Sequence, residues 1–155
     1  MKIIFLDIDG VLNYLGCKAR VKSCLGIEDE KLALLKQLVD TTGAKIVLVS
    51  TWKTDWNNGP IEDLNPYGQY LVTRFNEYGL SIFDKTEDDV EHRGKGIKEW
   101  LAKHSDIESF CIIDDECFDY KAEMLFRKLI KTRFYEQGLE QVHVDAAIEL
   151  LSKTS

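Results

Sequence analysis

Asp7 and Asp9 stand two residues apart where the apolar run 3–6 ends, and Gly10 follows them. Side chains two apart on an extended chain share a face, so the spacing brings both carboxylates to one end of a strand. Two carboxylates that close repel each other unless a cation lies between them or one keeps a proton. The pair therefore reads as a metal site, an acid/base pair, or both. Its plainer reading is a solvated turn, since Asp and Gly are ordinary turn residues.

Further along, other polar groups recur at the same kind of place. The strand-like stretch 44–49 ends in Ser50-Thr51, and the apolar run 110–113 ends in Asp114-Asp115. Between them lies the cationic stretch Arg93-Gly94-Lys95, just ahead of apolar residues spaced as on a helix at Ile97, Trp100 and Leu101. Solubilising turns would accept Lys, Glu or Asn equally well; three strand ends carrying only Asp, Ser and Thr favour a common site.

The elements that must position these groups follow a β-then-α rhythm. Strands are predicted at about 2–7, 44–49, 80–83, 110–113 and 130–135. Helices are predicted at about 28–40, 62–77, 94–104, 121–129 and 139–152, by apolar spacing. Strands that are apolar throughout, alternating with helices, imply a mostly parallel sheet covered on both faces, a three-layer α/β fold. In such sheets ligands bind at the carboxyl ends of the strands, where these polar groups fall.

The 155 residues suit one domain, 1–155, with a real core. The formal charge of −7 argues against broad attraction to nucleic acid or anionic membrane, so no stable nucleic-acid complex is expected. No apolar run approaches a membrane span, and the first residues lead straight into a strand rather than a signal peptide. Cys17, Cys24, Cys111 and Cys117 show no Cys-x-x-Cys spacing, which makes zinc a poor expectation and a reduced, cytoplasmic setting the simplest one.

The segment Asp7-Ile8-Asp9-Gly10-Val11-Leu12 after an apolar strand resembles the first motif of the haloacid dehalogenase (HAD) superfamily, and the later strand ends extend the likeness along nearly the whole chain. The resemblance implies a Rossmann-like sheet of about five strands and a phosphohydrolase with Mg²⁺ as cofactor. It implies Asp7 as the nucleophile that forms an aspartyl-phosphate, and Asp9 as the general acid and base. Ser50 would bond the transferring phosphoryl group, with Thr51 and Gly10 contributing beside it. The third motif's cation would be Arg93 or Lys95; Arg93 has the better register, Lys95 the commoner residue type. Metal ligation would fall to Asp7, Asp9 (through its carbonyl), Asp114 and Asp115, an oxygen-only set suited to Mg²⁺. Asp119 would orient that shell.

The intervals between motifs leave no room for a large cap, so the site should be open. Val49-Ser50-Thr51-Trp52-Lys53, Arg93-Gly94, Trp100-Leu101 and Gly138-Leu139 are similar to the small HAD domains of Swiss Army Knife RNA-repair type. That likeness implies a nucleotide or a nucleic-acid end as substrate. Trp52 or Trp56 would stack on a base, and Lys18, Arg20, Lys22 and Lys53 would meet phosphates. The alternatives are a small phosphorylated metabolite as substrate, and a non-catalytic HAD-like module that binds phosphate or a partner.

Overall fold

A computed structural model describes residues 1–89 and 91–153. In chain order the elements are β1 (Lys2–Leu6), β2 (Arg20–Val21), β3 (Cys24–Leu25), α1 (Asp29–Thr42), β4 (Lys45–Leu48), α2 (Pro66–Glu77), β5 (Ile82–Lys85), α3 (Arg93–Ala102), β6 (Ser109–Asp114), β7 (Leu129–Lys131) and α4 (Gln141–Leu151). Short 3-10 turns cover Thr51–Asp55, Ile61–Asp63 and Phe126–Lys128. The main sheet has the order β5-β4-β1-β6-β7 and is parallel throughout.

β1 shows why the run 3–6 is apolar at every position. Ile4 and Leu6 enter one core with Leu32, Leu35 and Leu38 of α1, Leu71 and Phe75 of α2, and Val144, Ala147 and Leu151 of α4. Ile3 and Phe5 enter the other core with Ile97 and Trp100 of α3, Tyr120 and Leu125. Both faces are covered, so alternation gives way to a continuous run. The three-layer α/β, Rossmann-like architecture is as the sequence predicts.

The register brings the strand ends level. Leu6 of β1 pairs with Leu48 of β4 on one side and Ile113 of β6 on the other. One residue on, the Asp7 amide still donates to the Ile113 carbonyl at 2.9 Å. The order also reverses direction between β1 and β6, the kind of switch point where such sheets open a crevice.

Several elements differ from the sequence reading. The predicted helix over 121–129 is instead turns and one 3-10 segment. Tyr120 and Leu125 are anchored in the core, and Met124 between them is exposed with φ of 61°, which no α-helix tolerates. The predicted strand at 130–135 ends at Lys131, and the third strand lies at 82–85 rather than 80–83. α2 starts at Pro66, not near 62: Asn65 caps it by accepting from the Gly68 amide at 2.9 Å, and Pro66 sits in the first turn, where its missing N–H costs nothing. The β2–β3 ribbon lies within a stretch read as plain loop.

Candidate active site

Asp7, Asp114 and Asp115 meet at the ends of β1 and β6, with one carboxylate oxygen of each inside a group spanning at most 4.8 Å. Asp7 and Asp114 are buried and Asp115 is half-buried. The cation that meets them is Arg93, from the first turn of α3. Its Nη1 donates to Asp114 Oδ2 at 2.8 Å and lies 3.1 Å from Asp7 Oδ1. Lys95, the other candidate, is exposed and lines a separate hollow with Glu87, Asp88 and His92. The register against Ile97 and Trp100 therefore selects Arg93 as the cation beside the carboxylates.

Three carboxylates against one guanidinium leave a surplus of buried negative charge. Burial, then the Asp114 carboxylate, push the Asp7 carboxyl well above its ordinary range, with Arg93 opposing. Burial raises the Asp115 carboxyl to about 6. A divalent cation would neutralise this surplus, and oxygen-only ligation suits Mg²⁺ over zinc. Residues able to hold it are Asp7, Asp114 and Asp115.

Asp114 is tightly held. Arg93 and the hydroxyl of the fully buried Tyr120 donate to its Oδ2, and the Glu116 amide donates to Oδ1 at 3.1 Å. Asp115 lies against the backbone of Gly10, which has φ of 83°. A Cβ there would fall 2.2 Å from Asp115 Oδ2, so only glycine permits both the turn and the carboxylate's approach.

Asp9 is not part of the three-carboxylate group. Its exposed carboxylate accepts from Trp52 Nε1 at 3.2 Å and from Asn13 Nδ2 at 2.8 Å. Asn13 is fully buried and also accepts from the Gly10 amide at 2.9 Å, while donating to the Gly26 carbonyl. Gly10 therefore serves as a turn and spacer, and its amide is not open to phosphate as the sequence reading supposed. Among the described residues the amides of Ile8 and Asp9 have no partner. Ser50 is fully buried at the end of β4, where its oxygen accepts from the Trp52 amide at 3.2 Å; Thr51 is exposed beside it.

Other expectations change. Lys53 is buried, its ammonium 2.7 Å from Asp88 Oδ1 and 3.0 Å from Thr86 Oγ1, so it braces the Ser50 turn against the segment before α3 instead of meeting phosphate. A desolvated ammonium persists only beside such a partner. Trp52 and Trp56 are more than nine-tenths buried, so both rings serve chiefly as packing. Asp119 does not join the metal group: it accepts from the Gly94 and Lys95 amides, capping the helix that carries Arg93. Arg20 turns back onto the carbonyls of Cys17 and Ala19.

Sequence reasoning missed Asn13, Tyr120 and the indole of Trp52 as supports. Asn13 follows the first motif at a spacing that reaches back to its turn, a signal open to notice; Tyr120 carries no such mark. Gly138 also supports the motif, since a Cβ on it would fall 2.9 Å from the Val11 carbonyl, while the Leu139 amide donates to that same oxygen.

No helix among the described residues is long and apolar enough to cross a membrane. Comparison with protein families matches residues 3–144 to the family described as the HAD domain in Swiss Army Knife RNA repair proteins. No curated protein matches the chain.

Proposed function

We propose, because this chain belongs to the family of HAD domains found in Swiss Army Knife RNA repair proteins, that it is a Mg²⁺-dependent phosphohydrolase acting on a nucleotide or nucleic-acid terminal phosphate. The observation that carries the reading is Arg93 set between Asp7 and Asp114, with Asp115 completing a cluster whose charge calls for a cation. When bound there, Mg²⁺ would lower the charge repulsion between the carboxylates and a phosphate dianion.

The protein's own groups account for the rest. A carboxylate oxygen of Asp7 attacks phosphorus, the bond to the leaving oxygen breaks, and Asp9 gives that oxygen its proton. Water then attacks phosphorus, Asp9 takes the proton from the water, and the Asp7 carboxylate leaves as phosphate is freed. Ser50 and the amides of Ile8 and Asp9 donate to the phosphoryl oxygens. Among the described residues carboxylates engage Arg93 through Nη1, which leaves Nη2 for the transferring group. Trp52 and Asn13 fix the angle at which Asp9 works.

Phosphate release from a 3′-phosphorylated oligonucleotide, a mononucleotide and an aryl phosphate, each with Mg²⁺ or EDTA, tests this. Release that needs Mg²⁺ and favours the oligonucleotide is expected. A second readout is melting temperature, which Mg²⁺ should raise and EDTA return to baseline, both effects shrinking in Asp115→Asn. Absence of release from all three substrates, with no Mg²⁺-dependent shift, would overturn the proposal.

Asp9→Asn separates the two proton transfers. An alkyl leaving group needs the proton, so its rate should fall by about 10²–10⁴. A nitrophenolate leaves without one, so a first-turnover burst should survive and slow only at hydrolysis of the intermediate. Equal losses on both leaving groups, without a burst, would remove Asp9 from the acid role.

A further inference from the structure

Next to Asp9 lies a cavity of about 420 Å³. Neither Asp7, Asp114 nor Asp115 lines it. Its walls come from elements far apart in sequence: Leu25 on β3, Trp52 and Asp55 on the turn after β4, Tyr67 on α2, and Phe134 beyond β7. Leu25, Tyr67 and Phe134 are half-buried and present apolar surface with little rotamer freedom to lose. The charged groups on its wall are Asp9 and Asp55, and among the described residues no Lys or Arg lines it.

That composition decides between the parts of a nucleotide. Two carboxylates and no cation repel a second phosphate, whereas a flat, neutral ring finds aromatic faces and an acceptor rim. The volume falls within the range of small-molecule sites. Position agrees as well, because Asp9 would protonate the leaving oxygen, so whatever is attached to that oxygen extends past Asp9. We propose that this cavity is a base subsite, holding the nucleobase of the terminal nucleotide between Phe134, Tyr67 and Leu25. The inference rests on the phosphohydrolase reading only for its orientation; binding of the ring itself can be measured without catalysis.

Trp52 edges the cavity, so its emission reports occupancy. Titration of metal-free protein with cytidine and with ribose should show cytidine binding at least about tenfold tighter, as one stacked base is worth. Phe134→Ala should erase that difference; Leu25→Ala, on the short ribbon, does so should the first variant lose its fold by circular dichroism. In turnover with Mg²⁺, Phe134→Ala should raise KM for 3′-CMP about tenfold with kcat unchanged, and leave KM for ribose 3-phosphate alone. If cytidine and ribose bind alike, or folded variants weaken both equally, the subsite is overturned even where phosphate is released. If cytidine binds and both variants abolish it while no substrate releases phosphate, the subsite stands and the phosphohydrolase reading falls.

Discussion

Asp7→Asn is expected to be inactive and, without metal, more stable than the wild-type protein at neutral pH. Turnover should drop by at least about 10⁴, because the amide is no nucleophile and binding alone rescues little of such a step. The stability gain has a separate cause. Burial and Asp114 raise the folded Asp7 carboxyl above its unfolded value, so the folded state holds that proton more tightly. Stability from this proton is fully present below the unfolded carboxyl's pKa of about 3.9 and is lost as pH rises through the folded value. Asparagine is neutral throughout and escapes the loss. Melting curves of the two metal-free proteins should therefore separate towards pH 7 and converge towards pH 4. Saturating Mg²⁺ should narrow or reverse the gap, since it stabilises the protein with the better ligand set. Near-normal turnover would dismiss Asp7 as nucleophile, and a wild-type protein more stable at neutral pH would dismiss the surplus of charge.

The sheet was legible in the sequence because its central strands are apolar on both faces, so 3–6, 46–49 and 110–113 announce themselves without any tertiary information. The candidate site's location was legible for a related reason: polar residues directly after such runs must lie at the sheet's carboxyl edge. What escaped depends on contacts between distant segments. Lys53 looks solvated until Asp88, 35 residues on, is folded against it. Asp119 looks like an orienter of the metal shell because of its spacing from Asp115, yet its carboxylate is taken by the helix that delivers Arg93. The segment 121–129 has helical composition, but Met124 takes a φ of 61° between Tyr120 and Leu125, which are both held in the core. Trp52 illustrates both limits: its place after Ser50 was plain, while its indole N–H on the Asp9 carboxylate depends on a contact across 43 residues.

Removing the guanidinium is the change expected to cost most in stability. Arg93 is buried, paired with two buried carboxylates and covered by the Phe118 ring, whose centroid lies 4.1 Å from its Cζ. Arg93→Met keeps the bulk and apolar stem but strands Asp7 and Asp114 without their partner. Breaking a buried pair from one side typically costs about 3–5 kcal/mol. The penalty should be pH-dependent, largest at neutral pH and smaller in acid. Burial and Asp114 already raise the Asp7 carboxyl, and losing Arg93 removes an opposing influence, so the variant relieves itself by taking up a proton. Arg93→Lys should recover much of the stability, because an ammonium supplies the charge. It should not recover the rate, for a point charge cannot serve Asp114 and a phosphoryl oxygen in the planar geometry of a fork. Loss of one such charged donor from a transition state is worth about 10²–10³ in kcat. Denaturant unfolding across pH, alongside kcat for the Met and Lys variants, separates the two roles. A Lys variant with wild-type kcat would reduce Arg93 to a counter-ion, and a Met variant with unchanged stability at pH 7 would mean that Asp7 and Asp114 are not charged together.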